Sequence, residues 1–162
     1  IKHMPGHGFA SQDSHFELPV VYASKKELLA NDFAVFRAFC DAEIAMSAHV
    51  LFESIDPYSP ASTSKKLMDI IRNEIKFSGL LISDDISMAA LPGDIKKRTK
   101  NLIEAGNDVI LHCNGKLFEM KEIIYSGVVP NTLTLSRMAS VIEERKKIKH
   151  NNIKNVESSQ SS

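Results

Sequence analysis

The chain has 162 residues, enough for one domain with a sizeable core, and its 43% hydrophobic and 25% charged content is that of a globular protein, not a disordered one. Twenty Lys and Arg balance twenty Asp and Glu, so no net field draws it to nucleic acid or an anionic membrane, and any charged ligand must be recognised locally. No apolar run approaches the roughly 20 residues that span a bilayer and no signal-peptide pattern opens the chain, so a cytoplasmic protein is expected. Cys40 and Cys113 are too few for a disulfide framework, and their apolar contexts point to reduced, buried thiols.

The first fifteen residues hold three histidines, a lysine, an aspartate, two glycines and a proline. Pro5, Gly6 and Gly8 exclude helix and strand, so the stretch is expected to be a loop presenting side chains, fed by a strand stub that ends at Lys2. At its close Asp13 stands two residues from His15, near enough to orient and charge-stabilise an imidazole. Ile1 is not an initiator methionine, and a loop of this kind beginning at residue 2 lacks most of the element that should position it. The expectation is either that the chain is a fragment or that its start is misassigned.

Farther along, Ser24-Lys25-Lys26-Glu27 is a capping box, and Leu28, Leu29, Phe33, Phe36 and Phe39 continue at helical spacing, predicting a helix over 25–40. Residues 43–51 read as a buried strand with His49 near its end, followed by a helix over 64–75. Leu80 to Ser83 is a second apolar strand, whose end delivers Asp84 and Asp85. Residues 86–91 form a turn stopped by Pro92 and Gly93. Asp94 caps a helix that Gly106 terminates. A strand over 108–112 and helices over 116–125 and 134–148 complete the pattern, and 151–162, without apolar periodicity, is expected to be a disordered tail.

Strands and helices that alternate in this way predict an α/β fold of parallel strands joined by helical crossovers. The polar candidates all fall at strand C-termini, where (β/α)₈ barrels place active sites, yet a full barrel takes about 250 residues. Three strands and a stub amount to half of one, so residues 1–150 are expected to be the C-terminal half of such a barrel.

The run Lys2-His3-Met4-Pro5-Gly6-His7-Gly8, followed by Asp13-Ser14-His15, resembles the signature loop of the bacterial β-N-acetylglucosaminidases of glycoside hydrolase family three. Ser83-Asp84-Asp85-Ile86-Ser87-Met88, after Gly79-Leu80-Leu81-Ile82, resembles the segment that carries their nucleophile. The resemblance extends from Lys2 to about Ile148 and implies a single barrel with the histidine-rich loop near mid-chain. It implies that Asp84 is the nucleophile, His15 the acid/base and Asp13 its partner, and that Lys2 and His3 hold hydroxyls of the non-reducing sugar. His49 and Met88 are further candidates for touching the sugar or supporting the site, with plain packing as the alternative.

The residues agree with that reading. Retaining hydrolysis needs a carboxylate to attack the anomeric carbon and an acid to protonate the leaving oxygen. Only one of Asp84 and Asp85 can face the sugar, because neighbouring strand side chains alternate. An imidazole gives and takes protons near neutrality without the burial a carboxyl would need. His7 is expected to support the loop, and His112 and Cys113 to line the core.

A metal site at His3, His7, His15 and Asp13 matches no compact zinc signature, and Gly6-His7-Gly8 opens no helix that could cradle phosphate. No metal or organic cofactor is expected. The implied activity is removal of terminal N-acetylglucosamine from muropeptides during cell-wall recycling. The alternative is a non-catalytic remnant of a split or truncated gene, which at most associates with the missing N-terminal half-barrel.

Overall fold

The computed structural model describes the backbone of residues 1–159 and the side chains of residues 1–148. In chain order the elements are β1 (Lys2–Met4), β2 (Val20–Val21), α1 (Lys25–Ala30), α2 (Asp32–Arg37), β3 (Ile44–Ser47), β4 (Leu51–Phe52), α3 (Lys65–Asp69), β5 (Leu80–Asp85), α4 (Ile95–Ala105), β6 (Val109–Leu111), α5 (Leu117–Ile124) and α6 (Thr132–Ser159). Four strands make one wholly parallel sheet in the order β1-β3-β5-β6. Consecutive sheet strands are neighbours joined through helices, which is the connectivity of a (β/α)₈ barrel. Among the described residues, β1 and β6 each have one unpaired edge.

Burial explains why these runs become strands. Leu80 and Leu81 are at most 6% exposed, as expected for a parallel strand covered on both faces. The apolar side chains of the first crossover pack beneath, where Phe33 meets Phe52 edge to face at 5.4 Å between ring centroids. Ile86, Leu91, Ile95 and Leu102 form a second cluster under the turn after β5. At Gly79 a Cβ would lie 2.5 Å from the Ala42 carbonyl oxygen, so only glycine lets the chain pass under β3 into β5.

Several boundaries differ from the sequence reading, for local reasons. The helix over 25–40 is two helices, because Asn31 leaves helical geometry (φ −119°, ψ −93°) and its side-chain amide donates to the Glu27 carbonyl at 2.9 Å. The strand over 43–51 ends at Ser47, and the chain then reaches β4, which pairs with β2 in a separate two-stranded sheet. The helix over 64–75 is capped by Ser64 as expected but widens into a π turn over Ile70–Glu74. β5 runs two residues farther than expected, so Asp84 and Asp85 belong to the strand itself.

The chain divides into one unit of Ile1–Val129 and another of Pro130–Ser162, so the expected boundary at 150 falls within α6. There the backbone of 151–159 continues the helix where the composition suggested a disordered tail. No glycine or proline interrupts it, and extending an existing helix is far easier than nucleating one. The last three residues of the expected tail lie outside the described residues.

Candidate functional site

The C-terminal ends of the four sheet strands gather the polar residues. β1 delivers His3, and β5 delivers Asp84; His3 Nε2 stands 3.5 Å from Asp84 Oδ2. The other Asp84 oxygen accepts the Asp85 amide at 2.9 Å, which fixes the carboxylate's orientation. Burial lowers the His3 pKa against the opposing pull of Asp84, with Lys2, His7 and His15 adding to the lowering. His3 is thus held as a neutral imidazole that can donate a hydrogen bond without carrying charge. Lys2 is exposed beside it, and the His7 ring lies 5.8 Å from that of His3.

Asp85 is spent on the scaffold. Its Oδ1 accepts the amides of Ser87 (3.0 Å) and Cys113 (3.1 Å), and its Oδ2 accepts the Ser87 hydroxyl at 2.6 Å. Burial pushes its pKa up, but these donors prevail and hold the carboxyl below its usual range. The side chain ties the turn after β5 to the end of β6. Arg98 clamps the same turn, donating to the carbonyls of Ile86, Met88 and Gly93. Sequence reading passed over Arg98, which gave no signal beyond being an arginine on a helix.

His49 and Met88 are both buried. Met88 is 5% exposed beneath the turn that Arg98 holds, and His49 is wholly buried between β3 and β4. The Asp85 carbonyl can only accept, so His49 Nε2 carries the proton toward it (3.1 Å) and Nδ1 accepts from the Ser62 hydroxyl (2.7 Å). Burial lowers the His49 pKa more than Asp84 and Asp85 raise it, and the ring stays neutral. A further buried link runs from the Ser62 carbonyl to the Asn107 amide, and from Asn107 Oδ1 to the Ser47 hydroxyl, each at 2.7 Å. His49 therefore bonds the backbone next to Asp84, which is the supporting arrangement among the readings given for it.

The loop brings Asp13 and His15 together as expected. Asp13 Oδ1 accepts both the His15 backbone amide (2.9 Å) and ring Nδ1 (2.7 Å). These bonds, the backbone one first, hold the Asp13 carboxyl below its usual range. With Nδ1 engaged, Nε2 is the nitrogen left for proton transfer, and 72% of the side chain faces solvent. The loop lies close enough for His15 to be felt electrostatically at His3.

At the far edge His112 pairs with Glu119 (2.9 Å), which Asn114 also holds (2.7 Å). Cys113, expected to be buried, is exposed. Partial burial and the charges of Asp85 and Asp84 raise its thiol pKa, which disfavours a reactive thiolate. Among the described residues no three His, Cys, Asp or Glu side chains form a group that could hold a metal ion.

Comparison with known proteins places this arrangement. The family model described as the glycosyl hydrolase family 3 N terminal domain matches residues 1–146. A protein named Beta-hexosaminidase from Aromatoleum aromaticum is 41% identical over 118 residues, covering 70% of this chain and 33% of its own length. Native NagZ from Neisseria gonorrhoeae superposes with a TM-score of 0.73 at 37% identity, over 84% of this chain and 40% of that one. A glycoside hydrolase family 3 β-N-acetylglucosaminidase from Paenibacillus sp. str. FPU-7 gives a TM-score of 0.82 at 26% identity, over 90% of this chain and 30% of that one. The chain thus spans about a third of the length of the curated relatives it matches.

Proposed function

The chain belongs to glycosyl hydrolase family 3, and from that premise we propose that it forms the C-terminal part of the barrel of a retaining β-N-acetylhexosaminidase, with Asp84 as nucleophile and His15 as acid/base. One observation carries the assignment. Of two adjacent strand-end carboxylates, Asp85 has both oxygens bound to protein donors, whereas Asp84 turns Oδ2 toward His3 at the open strand ends.

The chemistry follows in two steps. Asp84 attacks the anomeric carbon while His15, as imidazolium stabilised by Asp13, passes its Nε2 proton to the leaving oxygen. Neutral His15 then takes a proton from the water that hydrolyses the glycosyl ester, releasing Asp84 and restoring the imidazolium. Lys2 and His3 hold hydroxyls of the terminal sugar so that its ring sits against Asp84. His49 and Arg98 keep the nucleophile's strand end and turn in place.

The relatives' names support a terminal N-acetylhexosamine as the sugar. Muropeptides in the cytoplasm, during cell-wall recycling, are the substrate we favour. No helix among the described residues is long and apolar enough to cross a membrane. The active form is this segment together with the remaining barrel strands, which we place along the unpaired edges of β1 and β6.

The test uses the complete enzyme. Asp84→Ala should lower turnover of aryl N-acetylglucosaminides on the order of 10⁴-fold or more, while Asp85→Ala keeps measurable activity. A 2-fluoro sugar trap should label Asp84. Label on Asp85, or on neither, would overturn the assignment.

A further inference from the structure

The loop that carries His15 is moored near its start by a residue that lies outside the loop. Asp32, at the start of α2, does not cap its own helix. Its Oδ2 instead accepts the backbone amides of Gly8 (2.9 Å) and Phe9 (3.3 Å), more than twenty residues earlier. The two glycines fit this carboxylate. A Cβ at Gly6 would lie 2.5 Å from Asp32 Cβ and 2.8 Å from Oδ2, and one at Gly8 would lie 2.7 Å from Oδ1. The break at Asn31 starts a second helix at Asp32, and so sets the carboxylate beside the loop.

Beyond Phe9, Ala10 packs on the core, and the hydrogen bonds are mostly within the segment. Ala10 bonds back to His7, Phe16 and Glu17 close a single turn on the Asp13 carbonyl, and the Val20 amide donates a long bond to Gln12 at 3.4 Å. Asp13 and His15 are a rigid pair, joined by both the backbone and the ring of His15. Where His15 Nε2 stands relative to the sugar is then decided by where the loop is fixed.

We infer that Asp32 is a positioning residue for the acid/base: by binding the Gly8 and Phe9 amides it fixes the pivot of the loop, and so the reach of His15 over Asp84. The inference rests on the proposed role of His15. Asp32 touches neither substrate nor reacting atoms, and its contribution passes through geometry. A general acid contributes roughly 10²–10⁴-fold, and misplacement by about an ångström can cost roughly a hundredfold. Losing the pivot should therefore remove a good part of that acid's share and little else.

Two measurements on the complete enzyme test it, using Asp32→Ala and, should that variant fold poorly, the near-isosteric Asp32→Asn. In the first, amide hydrogen exchange at Gly8 and Phe9 should quicken by about tenfold or more as a pair of charge-assisted bonds is lost, with α4 unchanged. Unchanged exchange at these two amides would overturn the inference whatever the kinetics.

In the second, turnover of an N-acetylglucosaminide with an alkyl or sugar leaving group should fall roughly ten- to a hundredfold, while that of an activated aryl substrate falls less than about threefold. Adding His15→Ala should cost no more than His15→Ala alone, because the two act on one step. Equal loss on both substrates, or full additivity, would overturn the inference. If exchange quickens but His15→Ala itself shows no dependence on the leaving group, the mooring stands and the acid/base assignment falls.

Discussion

The two ends of the same four strands are built differently. At the N-terminal end of β5 a polar cluster is tied into the backbone. Arg72 donates to the carbonyls of Phe77 and Gly79 and to Asp108, whose Oδ2 also takes the amide of Leu81, the second residue of β5. The Asp108 side chain is 3% exposed, and the Arg72 guanidinium lies over the Phe77 ring. At the C-terminal end His3 Nε2 faces the Asp84 carboxylate at 3.5 Å, and His15 stands largely in solvent. Fixed, satisfied polar groups set strand register at one end, so the other end can leave its groups available for chemistry, the division that (β/α)₈ barrels share.

Breaking the top face should leave the bottom untouched. His15→Ala should slow substrates with poor leaving groups by roughly 10²–10⁴-fold, and activated aryl glycosides far less, because protonation matters least when the departing oxygen is a weak base. The melting temperature should hardly move, since the side chain is exposed and its bond is to the likewise exposed Asp13. Steady-state rates on a leaving-group series, with thermal melts alongside, check both halves. A uniform loss across the series would mean that His15 only shapes the loop.

The converse cut is at Arg72. Arg72→Ala leaves Asp108 charged and buried, together with the carbonyls that Arg72 serves, and removing one partner of a buried pair costs roughly 3–5 kcal/mol. Denaturant unfolding should show that loss in the midpoint. The kcat of the fraction still folded should stay near that of the parent. A kcat that fell in step with stability would show that the two strand ends are coupled.

How much of this was legible in the sequence follows the same division. Apolar runs such as Leu80-Leu81-Ile82 and caps such as Ser24 and Asp94 act locally, so strands, helix starts and crossovers could be read from neighbours in the chain. The Asp13 and His15 pair was legible because the partners are two residues apart. Asp32, Arg72 and Ser62 were not, because their bonds reach 24, 36 and 13 residues away in sequence and nothing in their own neighbourhoods announces them. His49 was legible as a strand-end polar residue, but its burial depends on β4 and on Ser62 folding over it, which no periodicity encodes. The break at Asn31 was hidden by a helical pattern that continues on either side of it.

The smallest effect separates the buried and open parts of the top face by pH. His49 and His3 both titrate below the ordinary histidine value, mainly because burial disfavours their charged forms. An unfolded histidine binds its proton near 6.5, so between that pH and the lower folded value the unfolded state holds more protons and stability falls as pH falls. Stability should therefore be full above about pH 6.5 and decline toward pH 5, with the Asp84 and Asp85 charges that face His49 softening the slope and Arg98 steepening it. His49→Asn cannot take up that proton. At pH 7 it should cost about 1–3 kcal/mol for bonds lost at Ser62 and Asp85, yet lose less than the parent on going to pH 5. Urea midpoints at constant m across that window measure both terms, and a parallel pair of pH profiles would show that His49 is not held neutral by the fold.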